Sequence, residues 1–450
     1  MTQPTPHRHV LSGYSWFRPG VRIAIAFQLL LALGFSLVLT ASAAEKINPR
    51  GIAGNAPMEF KARSRGRRQI KRNLVKPAAK PATSVTEIHG GIEIGSKGVK
   101  AVVIKVGADM QAADEGYKLN KLFEGTQATT IMRRDDKNRF TPEAISDTAN
   151  AVKDYYRQMI EIYKVPSANI HIVGSSGLNA VNPNDLRSAI KERVGKDLDG
   201  FLTPEDEVTM LITGTIPRFV QAGKRRNVPN REQSVLIDIG SGNTKGGYRE
   251  NEVLAANSFN YATFDIRQAT VTFTTTIEKE IAAKNLTMGF SQVARTLADS
   301  LLRKPLHDAV ERKPGLINRP RVYLSGGIIW AMVTLLHPEA IENDFVQVTT
   351  DDIRQFREMV ASNQAELMNP NLEKKIPDAE VRAKAEKDLN NVRKIFTPNN
   401  LIAGAEILSS ISDELSLKNR RVRFARQGVW GWLLSYTALQ SGATEVKASN

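Results

Sequence analysis

Two short stretches, "IEIGSKGVKAVVI" and "IDIGSGNTKGGY", share one layout. An apolar run carries an acid, Glu93 or Asp238, to its end, a Gly-Ser turn follows, and a second β-rich run comes back. Alternation along the strand buries the isoleucines, and glycines let turn N–H groups point at an anion, as in a nest. An acid beside such a cradle orders a Mg²⁺ ion or a water on a phosphoryl group. A third apolar run, "RPRVYLSGGIIWAMVTLL", passes through Ser325-Gly326-Gly327 into a helix. One such turn alone reads as an ordinary hairpin. Two hairpins and the third turn together predict a phosphate-handling α/β protein with two related halves facing a cleft.

The rest of the body alternates in the same way. "TPEAISDTANAVKDYYRQMIEIYKV" starts at a Thr141 N-cap with Pro142 at the first helical position, and "NPNDLRSAIKERVG" starts at Asn182 and stops at Gly195. "NIHIVGSSGLNA" reads as a strand running into a glycine turn, and "TTDDIRQFREMVASN" as a capped amphipathic helix. A polar basic loop, "QAGKRRNVPNREQ", precedes the second strand group and marks a domain boundary. The expected divisions are a leader over 1–44, a linker over 45–86, domain I over 87–224, domain II with the closing helix over 225–438, and a tail over 439–450.

The net charge of +15 looks like a nucleic-acid signal until it is located. Residues 1–86 hold fourteen Lys and Arg against two acids, Glu45 and Glu59, so they carry +12 and leave +3 to the rest of the chain. The basicity therefore describes the leader and linker and not the body. Arg18 and Arg22 precede an uncharged run from Ile23 to Ala44 that ends in Ala41-Ser42-Ala43, the pattern of a secretory signal peptide and periplasmic export. The run is also long enough to span a bilayer, so an inner-membrane anchor is the alternative. The linker reads as a solvated tether, with contact to anionic lipid or polymer as the functional alternative. From Lys61 onward no aromatic interleaves its charges, so no specific nucleic-acid partner is expected. Oligomerisation is left open. There are no cysteines, which removes thiol catalysis, disulfides and Cys-ligated metal.

In order, these motifs resemble the exopolyphosphatase/guanosine pentaphosphatase (Ppx/GppA) family of the actin-like ATPase and sugar-kinase superfamily, over about 345 residues from Gly90 to Leu434. "IEIGSKG" stands where the family has D-x-G-S-N-S, "VLIDIGSGNTK" resembles D-I-G-G-G-S-T-E, and "YLSGG" takes the place of G-x-S-G-T. "LTPEDEVTMLITGTI" resembles G-x-E-E-A-x-L-x-x-x-G, which puts Glu207 on the family's catalytic glutamate. The resemblance implies two actin-like (ribonuclease H-like) domains around a cleft. The implied activity is attack of water on a terminal phosphoryl group of polyphosphate or a related phosphoanhydride. Glu207 would be the general base, and Asp238 and Glu93 would place Mg²⁺ and water. Gly95, Ser96, Lys97, Gly240, Ser241, Gly242, Asn243, Thr244, Lys245, Ser325, Gly326 and Gly327 would hold phosphates. Such chemistry is mostly positioning and charge stabilisation. The neighbouring acids Glu205 and Asp206 are expected to crowd the base and raise its pKa.

Lys245 stands where the family's second hairpin closes on an acid, and Lys97 follows Ser96 in the first turn. Either lysine binds phosphate as a point charge or points outward from an edge strand. The lysine also removes one Mg²⁺-ordering acid. A non-catalytic phosphate-polymer or nucleotide-binding member of the same fold is thus the alternative to a hydrolase. A structural actin-like nucleotide binder would need a cytoplasmic address. His89 and His171 lack the spacing of metal ligands and read as structural. Trp330, Trp430 and Trp432 read as core. Ser175-Ser176 lacks a nucleophile-elbow context, which rejects a serine hydrolase.

Overall fold

The computed structural model describes residues 87–106, 120–178, 182–217, 219–222, 226–253 and 258–442. The expected leader and linker, and the tail from 443, lie outside the described residues. The chain is a mixed α/β protein with two sheets of matching order.

The first half holds β1 (Glu87–Gly95), β2 (Gly98–Val106), β3 (Asn120–Ala128), β4 (Ile170–Gly174) and β5 (Gly200–Phe201), with helices α1 (Pro142–Glu161), α2 (Pro183–Val194) and α3 (Pro204–Thr215). A small hairpin, β6 (Phe219–Ala222) and β7 (Arg226–Pro229), connects to β8 (Ser234–Ile239), β9 (Thr244–Val253) and β10 (Ser258–Ile266). Helices α4 (Thr270–Lys284), α5 (Phe290–Ala298), α6 (Lys304–Arg312) and α7 (Gly315–Asn318) lead to β11 (Arg321–Gly326) and α8 (Gly327–Leu336). Strand β12 (Phe345–Gln347) precedes α9 (Thr350–Ser362), α10 (Gln364–Leu367), α11 (Leu372–Lys375), α12 (Ala379–Ile395) and α13 (Pro398–Glu414), and the body closes with β13 (Arg421–Ala425) and α14 (Gly428–Gln440).

The first sheet runs β3-β2-β1-β4-β5 and the second β10-β9-β8-β11-β13-β12. In both, a hairpin and a third antiparallel strand lie on one side of the lead strand, and parallel strands reached by crossovers lie on the other. The second sheet adds one antiparallel edge strand, β12. The lead strands sit mid-sheet and are covered on both faces, so β8 is buried along its whole length. The expected Thr141 cap accepts from the Ala144 amide, and Gly195 ends α2 in the left-handed region. Asn182 precedes α2, but its side chain instead accepts from Phe140 N and donates to Asp185.

Three apolar cores result. One fills the space between the first sheet and α1–α2, and another packs α4–α13 on the second sheet. The third joins Val102, Ile104 and Val173 to Leu236 and Tyr323 through Leu211 of α3 and Trp432 and Leu433 of α14. Thus α3 and α14 form the layer between the two sheets. The closing helix α14, although it follows the second half in sequence, lies against β1, where a Cβ on Gly91 would meet Leu433 and Thr437. Among the described residues no helix is long and apolar enough to cross a membrane.

Candidate functional site

Both hairpins put an acid directly across from a lysine. The two-residue turn Ser96-Lys97 pairs Gly95 with Gly98 and so pairs Glu93 with Lys100. The turn Gly240–Asn243, closed by Gly240 N donating to Asn243 O at 3.1 Å, pairs Asp238 with Lys245.

Lys245 is the centre of the site. Its ammonium lies 2.7 Å from Glu207 Oε2 and 3.0 Å from Asp238 Oδ2, and the residue is 3% exposed. The outward-pointing alternative for this lysine is therefore excluded. Burial alone would lower its pKa, but the two carboxylates outweigh burial and hold it above the ordinary lysine value. Glu207 is fully buried in the first turn of α3. It accepts from the Ser176 amide at 2.5 Å and the Ser176 hydroxyl at 2.9 Å. Asp206 does not crowd it, because a capping box with Thr203 takes its carboxylate, Thr203 Oγ1 donating at 2.6 Å.

Further hydrogen bonds extend outward from this triad. Asn243 Nδ2 donates to Ser176 Oγ at 3.2 Å and to Asp265 Oδ1 at 2.7 Å, while Lys245 reaches Asn243 Oδ1 at 3.4 Å. Asn243, expected to hold phosphate, spends its amide on this network. Thr244, also expected there, is buried at the start of β9.

The remaining expected residues divide. Glu93 is buried and takes an ammonium of its own, Lys100 Nζ at 3.3 Å; Lys100 also donates to Val429 O at 3.0 Å. Burial raises the Glu93 pKa, Lys100 opposes the rise, and the Glu207 charge adds to it. Lys97 turns away from the ion triad to donate to Ile395 O at 3.3 Å, with its ammonium 4.3 Å from the centre of the Phe396 ring. Ser96, Gly177 and Gly242 abut: a Cβ on Gly177 would stand 2.8 Å from Ser96 Oγ, and one on Gly242 2.9 Å from Gly177 O. The two turns are thus pressed together. Ser325, Gly326 and Gly327 lie beside the second turn, since Ser325 pairs with Asp238 and Gly326 with Ile239. Gly326 has φ +103°, and a Cβ there would strike the Ile239 backbone, so this approach requires glycine.

Several anion-capable groups remain unspent. Ser241 and Gly242 amides have no acceptor among the described residues. The first-turn amides of α8 have no side-chain cap, and Ser325 Oγ is buried with no partner among the described residues.

A divalent ion does not fit this arrangement. The point between Glu207 and Asp238 where one would bind is taken by a buried ammonium, and Glu93 is held by a different lysine. No group of three or more His, Asp or Glu among the described residues is arranged to hold a metal. His89 and His171 stack with centroids 6.2 Å apart and planes at 6°, a packing role. Trp432 is core, whereas Trp330 is half-buried and donates to Asp388 at 2.9 Å.

Sequence reasoning missed Ser176, Lys100 and Asp265. The two lysine pairings follow from turn length once each hairpin is accepted, so Lys100 had a signal. Ser176 had a weaker one, its place just after a strand parallel to β1. Asp265 had none, because its role rests on the β9–β10 pairing with Lys245.

Solved structures share this fold. An exopolyphosphatase-like protein aligns at TM-score 0.53 and 14% identity, covering 79% of this chain and 97% of its own. An exopolyphosphatase from Cytophaga hutchinsonii aligns at TM-score 0.51 and 12% identity, over 80% of this chain and all of its own. A Ppx/GppA family member from Aquifex aeolicus aligns at TM-score 0.48 and 15% identity, over 79% and 97%. No family profile and no curated protein matches the sequence. What the chain shares with the two exopolyphosphatase structures is the fold.

Proposed function

We propose that this chain is an actin-like phosphate-binding protein that holds a phosphoanhydride polymer such as polyphosphate and does not hydrolyse it. The observation that carries the reading is the Lys245 ammonium bridging buried Glu207 and Asp238. A general base must reach the water it deprotonates. Glu207 is fully buried and already accepts from Lys245 and twice from Ser176, so it has no access to water. Two facing carboxylates would repel an incoming phosphate. A fixed ammonium neutralises one of them, as a resident cation would, and needs no metal. Phosphate oxygens would then meet the free amides of Ser241 and Gly242 and the start of α8. Export, expected from residues 18–44, would favour a polymer over ATP.

The hydrolase implied by the resemblance is the second reading. It is favoured by one observation, the convergence of Glu207 and Asp238 on a single point from two elements. It requires Lys245 to leave that point. One experiment decides between them: polyphosphate binding and phosphate release, each with Mg²⁺ and with EDTA. Binding that is indifferent to EDTA, with no release, is expected. Mg²⁺-dependent release that disappears in Glu207→Gln would establish the hydrolase instead, and absence of binding would sink the binding reading.

A further inference from the structure

A second site lies on the outer side of the Lys245 network. Beside the edge strand β10, a groove of about 480 Å³ opens between the N-terminal turn of α3 and helix α6. That volume falls within the range of roughly 300–1,000 Å³ typical of small-molecule sites. Glu205 and Asp265 supply carboxylates, and Lys304, Asp308, Arg312 and Lys313 supply the facing charges.

The groups differ in what they have left to offer. Lys313 is spent on the Thr263 carbonyl, and Lys304 stands 3.5 Å from Asp308 in a loose pair. Arg312 and the Glu205 carboxylate have no hydrogen bond or ion pair among the described residues. Asp265 gives Oδ1 to Asn243, and its Oδ2 has no partner among the described residues. Three acids among the charged lining groups disfavour a polyanion, and the cations disfavour a metal or an amine. A molecule with one anionic end and several hydroxyl donors satisfies both sides. A phosphate would take Arg312 and Lys304, and sugar hydroxyls would donate to Glu205 and Asp265 Oδ2.

We propose that this groove binds a small phosphorylated polyol, of the sugar phosphate or nucleoside monophosphate class, independently of the polymer site. Asp265 connects the two. It is one hydrogen bond from Asn243, and Asn243 touches both Lys245 and Ser176. A ligand in the groove takes the free Oδ2 of Asp265 and leaves its Oδ1 bond to Asn243, and with it the buried ion triad, in place.

Titration calorimetry of the full chain with ribose 5-phosphate and with adenosine 5′-monophosphate tests this, with ribose and inorganic phosphate as controls. Saturable one-site binding of at least one phosphorylated probe is expected, with ribose and inorganic phosphate weaker. The exposed double variant Lys304→Ala/Arg312→Ala should weaken it by about tenfold or more, the loss expected for hydrogen bonds to a charged group. Saturating polyphosphate should leave it unchanged. No saturable binding of either probe would overturn the proposal. So would equal binding of inorganic phosphate, competition by polyphosphate, or full binding by a double variant with unchanged circular dichroism. None of these results depends on whether the Lys245 site binds polymer or hydrolyses it.

Discussion

The two hairpins start from the same local code and end as different devices. Each sets an acid across from a lysine, Glu93–Lys100 at 3.3 Å and Asp238–Lys245 at 3.0 Å. At the first, the Lys100 side chain keeps 27% exposure and divides its protons between Glu93 and Val429 O, with the Trp430 ring 5.9 Å away. At the second, the Lys245 side chain is 4% exposed and meets a third charge, Glu207, brought by α3. What closes over the hairpin decides its role. The start of α14 covers the first and leaves water within reach. The start of α3 covers the second and turns a surface-type pair into a buried triad.

If that contrast is right, removing the two lysines has unequal costs. Lys245→Ala leaves two carboxylates buried without a counter-charge, and breaking a buried pair typically costs about 3–5 kcal/mol. Urea unfolding should show a loss of that size. Mg²⁺ should then raise the unfolding midpoint of the variant and not that of the wild type, because only the variant has an open cation position. A wild type that responds to Mg²⁺ as strongly as the variant would break the comparison.

Lys100→Ala should cost about 1 kcal/mol, nearer the range of solvent-screened pairs. It also carries a pH signature. The Glu93 pKa is raised by burial, and Lys100 opposes that rise. Between its unfolded value and its higher folded value, the native chain holds more protons than the unfolded one, so stability falls as pH rises through that interval. Lys100→Ala should deepen the fall, and Glu93→Gln should remove it. Urea midpoints taken from pH 4 upward would show either outcome, and an unchanged slope in both variants would count against the burial argument.

The fold was largely legible because hairpin turns and strand–turn–helix runs are local. Turn length fixes register, and register alone sets Glu93 against Lys100 and Asp238 against Lys245. The site was less legible because its decisive contacts join distant segments. Nothing near Ser176 announces a bond to Glu207, thirty-one residues on. Nothing near Asn243 predicts that its side chain would be spent on Asp265 and Ser176. The lysines show the limit most clearly. Their positions in the hairpins were evident, but Lys245 points into the buried triad and Lys97 away from it. That choice depends on whether α3 or the α12–α13 corner lies closer.

Lys97 gives the smallest and most specific prediction. It was expected to hold phosphate, but it crosses instead to the end of α12, at Ile395 O and the Phe396 ring. Burial lowers its pKa to about 8 from the ordinary lysine value of 10.5. Between those values the unfolded chain binds the proton that the native chain has lost, so stability should rise with pH across that window. The lysine keeps partial contact with water, so the rise should be slight. Lys97→Met keeps the apolar stem against Phe396 and removes the titrating group, and its stability should be flat where the wild type climbs. Its polyphosphate affinity should match the wild type if Lys97 stays on Ile395. A marked loss of affinity would mean that Lys97 leaves α12 for the phosphate, and that the first hairpin supplies a phosphate-binding lysine after all.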